Sequence, residues 1–244
     1  MTIRSVVRSD RGLVRKINED AAAILSERGL VALADGMGGH SGGEVASRLA
    51  VDSIIRYIAG YPTASTAAAI EFANSAILDM ARENADLKGM ATTVVVGRFC
   101  DGEAEYAHVG DSRLYLWRDS QLMQLTRDHS MIQELVDQGL YTSLAEALKD
   151  GVKNNLLTRG VGISEDLSVD SGHLRLLPGD LFLFCTDGLS NMLSDKLIGR
   201  ELSRYSGQLD TAAERLLGLA LKRGGYDNIS VALVELDQAG EERG

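Results

Sequence analysis

At 244 residues with 45% hydrophobic composition, the chain can bury a substantial core and suits one large domain better than two small ones. A net charge of −10 argues against broad electrostatic binding to nucleic acid or anionic lipid, and a negatively charged substrate would need locally supplied positive charge, of which metal ions are one source. The N-terminus is charged and polar and no apolar run reaches bilayer length, so a soluble, cytoplasmic protein without a membrane segment is expected.

In chain order, β-type runs cover residues 20–26 and 30–34. A helix follows over 41–59, where Val45, Leu49, Ile54, Ile55 and Ile58 recur on one face and Ser41 with Glu44 forms a capping box. A second helix covers 66–84, and strands follow at 92–99, 104–109 and 113–117. From residue 130 to about 166 the pattern loses regularity, with short helical pieces at 131–136 and 144–148, and this stretch reads as a mobile flap. A strand at 181–185, a helix carrying Leu209, Ala213, Leu216, Leu217, Ala220 and Leu221 that stops at Gly224-Gly225, and a strand at 228–236 complete the order. Residues 238–244 form a polar, frayed tail behind a single domain at 1–237. Hairpin-like strand series with paired helices between them predict an α+β sandwich of antiparallel sheets covered by helices.

The cysteines, Cys100 and Cys185, sit in apolar strand contexts and read as small buried thiols. Neither is followed, six positions on, by the arginine a cysteine-dependent phosphatase needs; Tyr106 and Asn191 stand there.

The chemistry-bearing signal is a set of aspartates where apolar strands end. Residues 30–34 run into Asp35-Gly36, residues 181–186 run into Asp187-Gly188, and Asp227-Asn228 immediately precedes the last strand. Asp-Gly alone is a turn dipeptide. Several carboxylates at strand rims, with Asn18-Glu19-Asp20 opening another strand, point instead to a shared cation, because such groups are costly unless paired, hydrogen-bonded or on a metal. An all-oxygen set selects magnesium or manganese over zinc or copper. In Asp35-Gly36-Met37-Gly38-Gly39-His40 the glycines let backbone approach an ion; no lysine stands where a P-loop needs one, and Ser41 breaks the dinucleotide spacing. His40 reads either as a proton donor or as a helix-end surface residue, Arg15 as a phosphate fork or a salt-bridge partner, and Asp111 in Val109-Gly110-Asp111-Ser112-Arg113 as a ligand or a turn residue.

Arg15-Lys16-Ile17-Asn18-Glu19-Asp20, Ala34-Asp35-Gly36-Met37-Gly38-Gly39-His40, Gly89-Met90-Ala91-Thr92-Thr93, Val109-Gly110-Asp111-Ser112-Arg113, Cys185-Thr186-Asp187-Gly188-Leu189 and Tyr226-Asp227-Asn228-Ile229-Ser230 occur in this order across residues 12 to about 236. With them the chain resembles the metal-dependent PP2C-type protein serine/threonine phosphatases, most of all their compact bacterial members. The resemblance implies a four-layer αββα sandwich with a binuclear centre at one end and two or three Mn2+ or Mg2+ ions. It implies that Asp35 bridges both principal ions, that the Gly36 carbonyl completes one, and that Asp187 and Asp227 bind the other. Glu19 and Asp20 act mainly through waters on the ions, and Asp111 belongs to a third site with Ser164 or Asp166 from the flap as candidates. The resemblance further implies that Arg15 orients the phosphoryl oxygens and that His40 or a metal-bound water protonates the leaving alkoxide. The implied substrates are phosphoserine and phosphothreonine proteins, with a cognate serine/threonine kinase as partner and a monomeric enzyme. One departure is that the flap lacks the His-Pro pair that many bacterial relatives carry before Asn155-Leu156-Leu157-Thr158-Arg159. The competing readings are a non-catalytic phosphoprotein-binding domain and a hydrolase of small phosphoesters or nucleotides.

Overall fold

A computed structural model of the chain describes residues 3–38, 42–153 and 156–236. The first half contains β1 (Ile3–Asp10), β2 (Asp20–Leu25), β3 (Leu30–Met37), α1 (Gly42–Gly60), α2 (Thr66–Glu83), β4 (Ala91–Thr92), β5 (Val94–Cys100), β6 (Glu103–Val109), β7 (Arg113–Arg118) and β8 (Gln121–Gln124). Then come α3 (Met131–Asp137), α4 (Leu144–Lys149), β9 (Asp170–Arg175), β10 (Leu181–Cys185), α5 (Asp187–Ser190), α6 (Asp195–Arg204), α7 (Leu209–Lys222) and β11 (Ile229–Leu236).

The strands form two antiparallel sheets. One has the order β1-β11-β10-β7-β8; the other is β2-β3-β5-β6-β9, with β4 pairing to β3. Side chains alternate across each strand. Phe182 and Phe184 of β10, Ala232 and Val234 of β11, and Val31 and Leu33 of β3 point between the sheets. Their neighbours Leu181, Leu183, Val231 and Leu233 turn outward into a layer with α6 and α7, while Leu30, Ala32 and Ala34 turn outward against α1 and α2. Burial on both faces explains why the central strands read as unbroken apolar runs. The result is the expected αββα sandwich.

Three strands were not visible in the sequence: β1, β8 and β9. Each lies at a sheet edge, where one flank is unpaired and polar residues keep it from pairing with other chains. The expected strand at 92–99 is split at Thr93, whose amide turns to the Asp35 carbonyl at 2.8 Å. The expected helix at 131–136 is α3, capped by the Ser130 hydroxyl, and that at 144–148 is α4, capped by Ser143. Cys100 corrects an expectation: it is exposed at the end of β5, whereas Cys185 is buried, and both thiols are free. Ser41 of the expected capping box and the tail at 238–244 lie outside the described residues. Among the described residues no helix is long and apolar enough to cross a membrane.

Candidate metal centre

The ladders bring distant carboxylates to one end of the sandwich. Asp20 opens β2 and stands directly opposite Asp35 near the end of β3. Across the sandwich, β10 runs into Thr186 and Asp187, beside the start of β11 that follows Asp227 and Asn228.

Two small polar side chains lock the sheets together there. The Thr186 hydroxyl donates to Asp20 Oδ2 at 2.9 Å and accepts from the Ser230 amide at 3.0 Å. The Asn228 amide oxygen accepts from the Glu19 N–H at 2.8 Å, and its NH2 donates to the Arg11 and Ile17 carbonyls, both at 2.9 Å. Asn228 thereby fixes the 11–19 loop, and with it Arg15 and Glu19. On β3, the Asp35 N–H donates to the Thr93 hydroxyl at 3.1 Å, and the Asp35 carbonyl accepts from the Thr92 hydroxyl at 2.8 Å. Gly36 follows with its N–H on the Glu19 carbonyl at 3.1 Å. A Cβ at Gly36 would overlap the Gly43 carbonyl and come within 2.6 Å of the Glu19 carbonyl, so only glycine permits this approach.

Asp187 accepts from the Asn191 side chain at 3.0 Å, and Asp227 Oδ2 accepts from Arg15 at 2.7 Å. Asp111 follows Gly110, whose φ of 105° requires glycine. It lines a cavity of about 190 Å3 that Asp187 shares, closed by Ile132, Leu144 and Leu148 of the flap region. The structure thus gathers Asp35, Gly36, Asp20, Glu19, Asp187, Asp227 and Arg15 in one cluster, and sets Asp111 in the adjoining cavity. Ser164 and Asp166 do not line that cavity: the Ser164 carbonyl accepts from Asn74 of α2 at 2.8 Å, and the Asp166 N–H donates to the Ser164 hydroxyl at 3.2 Å. His40 lies outside the described residues.

Electrostatics show what this cluster lacks. Desolvation, followed by the charges of Asp187 and Asp227, pushes Asp20 up to about 7. Asp111 is pushed up to about 7 by desolvation and then by Asp187 and Asp128, and Asp187 to about 6 by desolvation and Asp227. Asp35 rises well above the usual carboxylate range by desolvation and by the Asp20 charge next to it. Buried oxygens Glu19 Oε1, Asp20 Oδ1 and Asp187 Oδ1 have no hydrogen-bond partner. Mutually repelling carboxylates with orphaned oxygens, supplied only by oxygen donors, fit hard divalent cations.

Several contributors escaped the sequence reading. Thr186 and Asn228 stood inside quoted motifs without a role. Arg113 grips Asp128 through Nε at 2.9 Å and Nη2 at 2.7 Å on the wall of the Asp111 cavity. His129 holds the Gly110 turn: its amide donates to the Gly110 carbonyl at 2.9 Å, and its Nδ1 accepts from the Gly110 N–H at 3.1 Å. No spacing in the sequence joins these pairs.

Comparison with known proteins follows the same lines. A family described as Protein phosphatase 2C matches residues 14–217. The Mycobacterium tuberculosis (strain CDC 1551 / Oshkosh) serine/threonine protein phosphatase PstP is 37% identical over 97% of this chain, which spans only 45% of that relative's length. The Listeria monocytogenes (serovar 1/2a) serine/threonine phosphatase stp is 34% identical, with 94% of each chain covered. A crystal structure of the catalytic domain of PstP in complex with two manganese ions superposes with a TM-score of 0.85 at 37% identity, covering 96% of this chain and 99% of that one. This chain belongs to the protein phosphatase 2C family.

Proposed function

We propose that the chain is a metal-dependent phosphatase of phosphoserine and phosphothreonine in proteins, acting as a single domain over residues 1–237 and reversing the work of a serine/threonine kinase. The observation that carries this reading is the set of orphaned carboxylate oxygens on Glu19, Asp20 and Asp187, facing the same strand ends as Arg15. Asp35, the Gly36 carbonyl, Asp187 and Asp227 would hold the principal pair of Mn2+ or Mg2+ ions, with Glu19 and Asp20 around them and Asp111 toward a third. Such ions supply charge neutralisation for a phosphate monoester and a water acidified enough to attack it at neutral pH.

The chain's own groups do the rest. Arg15, with a 48% exposed side chain, stands at the rim where a phosphoryl group would enter, and its planar fork suits two phosphate oxygens. Thr186 and Asn228 hold Asp20 and Glu19 in place. The buried Cys185 thiol, pushed up to about 12 by desolvation, offers no thiolate nucleophile.

The test is phosphate release from a phosphothreonine peptide by wild type, Asp227→Asn and Arg15→Ala, each with manganese, magnesium or excess chelator. Metal-dependent release that collapses in Asp227→Asn and falls in Arg15→Ala is the expected result. A folded, metal-loaded wild type that hydrolyses neither the peptide nor a generic phosphoester would sink the reading.

A further inference from the structure

A groove of about 630 Å3 lies between the β7–β8 hairpin and α6, lined by Trp117 and Leu122 from the hairpin and by Lys196, Arg200, Ser203 and Arg204 from the helix. The three cations recur every fourth residue, which places them in one stripe, and all are exposed. The floor is apolar because Gly199 leaves room for it: a Cβ there would come within 2.9 Å of the Trp117 ring. One carboxylate, Asp195, also lines the groove, and it accepts from the Tyr115 hydroxyl at 3.2 Å. Lys196 has no ion-pair partner among the described residues, Arg204 rests over the Tyr205 ring at 5.7 Å, and Arg200 reaches only Glu201 at 3.4 Å. On a chain of net charge −10, three cations around a tryptophan form a local reversal of sign.

The groove is also joined to the metal centre. Arg113, Tyr115 and Trp117 alternate onto one face of β7. Asp195 bonds Tyr115, Arg113 Nη1 donates to the Tyr115 hydroxyl at 2.9 Å, and Arg113 grips Asp128 on the wall of the Asp111 and Asp187 cavity. From Arg113 to Trp117 the strand advances about 13 Å at ~3.3 Å per residue, and because Tyr115 between them is fully buried a peptide passing over the surface needs at least about four residues.

We propose that this groove docks a carboxylate- or phosphate-bearing stretch of the substrate polypeptide, about four or five residues from the phosphoresidue being hydrolysed. The inference rests on the phosphatase reading above. Guanidinium groups grip the anionic side chains, and the Trp117 floor packs against the peptide's apolar atoms.

Trp117 is the chain's one tryptophan, so its emission reports this groove alone. The experiment compares a phosphothreonine peptide carrying glutamates about four and five residues to either side with the same peptide carrying glutamines. The glutamate peptide is expected to shift Trp117 emission saturably and to show a KM lower by about 10-fold, equivalent to ~1.4 kcal/mol, at similar kcat. In a Lys196→Glu, Arg200→Glu double variant both differences should vanish, while kcat and turnover of p-nitrophenyl phosphate stay unchanged. Equal KM values for the two peptides on wild type, or a preference surviving in the double variant, would overturn the proposal. So would anionic lipid vesicles shifting Trp117 emission when the glutamate peptide does not, which would assign the stripe to a membrane. A saturable Trp117 shift with no phosphate released from either peptide would instead sink the phosphatase reading and leave a site for acidic polypeptide.

Discussion

Asp20 and Asp35 occupy directly opposed positions on the β2–β3 ladder, where like charges destabilise a sheet. The Thr186 hydroxyl relieves one oxygen of Asp20, and the other is buried without a partner. The fold therefore holds a repulsion that its own cations do not cancel, since the Arg15 guanidinium is bonded to Asp227.

That repulsion should make the stability of the metal-free protein depend on pH. Burial pushes Asp20 and Asp111 up to about 7 and Asp187 up to about 6, all above the ordinary aspartate value. Below these values and above the unfolded pKa of ~3.9, the folded state holds more protons than the unfolded one, so these groups make stability rise as pH falls. From about one pH unit above these values they are ionised in both states and their mutual repulsion acts in full. Thermal unfolding in excess chelator should give a midpoint that climbs by a few degrees from about pH 8 to about pH 6. Saturating manganese should raise the midpoint most at the alkaline end and flatten the slope. A metal-free midpoint that falls with acidification over that window would contradict the assigned environments.

Arg15 should separate phosphate recognition from metal binding. Its bond to Asp227 at 2.7 Å is one exposed ion pair, so its loss costs the fold little. Arg15→Ala should lower kcat/KM on a phosphothreonine peptide by ~100-fold, the cost typical of a removed donor to developing charge. Arg15→Lys should recover only part of that, since an ammonium lacks the planar fork. Manganese affinity measured by calorimetry should change little in either variant. A large loss of metal binding in Arg15→Lys would assign the residue to the metal centre instead.

How far the sequence could be read depended on burial. Asp35 and Asp187 were legible because each follows an apolar strand segment covered on both faces, and an apolar run that stops at a carboxylate is conspicuous. β1, β8 and β9 were hidden because edge strands such as Asp170–Arg175 alternate too weakly to stand out from loop. Asn228 and Thr186 were hidden for another reason: their roles lie in bonds to Arg11, Ile17, Glu19 and Asp20, partners near in space and remote in sequence. Asp111 stayed divided between ligand and turn residue because both uses require the same Gly110 turn.

His129 is expected to govern Asp111 from outside the cavity. Its Nδ1 accepts from the Gly110 N–H, so the proton sits on Nε2, which faces Asp170 Oδ2 at 3.2 Å; Asp170 is held in turn by Arg159 at 2.7 Å. His129→Ala leaves a buried N–H without a partner and should cost about 1–3 kcal/mol in denaturant unfolding. His129→Asn, whose Oδ1 can take the place of Nδ1, should restore most of that stability. Manganese titration should show the alanine variant weakened at the weakest-binding ion and unchanged at the tighter pair. Equal loss of all ions, or no rescue by asparagine, would remove His129 from this role.

Thr186 carries the bond that closes the end of the sandwich, and its hydroxyl can be removed at nearly constant volume. Thr186→Val deprives Asp20 Oδ2 of its donor and the Ser230 N–H of its acceptor at one stroke. With Asp20 Oδ1 already buried without a partner, the carboxylate then keeps only the Ser230 side chain as a donor near it. The variant should lose about 1–3 kcal/mol without metal. Part of this loss should return when manganese binds, because the ions would supply Asp20 with the positive charge the hydroxyl had partly replaced. Thr186→Ser keeps the hydroxyl and should behave as wild type in both conditions. The decisive quantity is the difference in manganese-induced stabilisation between the valine and serine variants. If valine gains no more from metal than serine does, Asp20 does not face the ions, and the Thr186 bond serves the sheet junction alone.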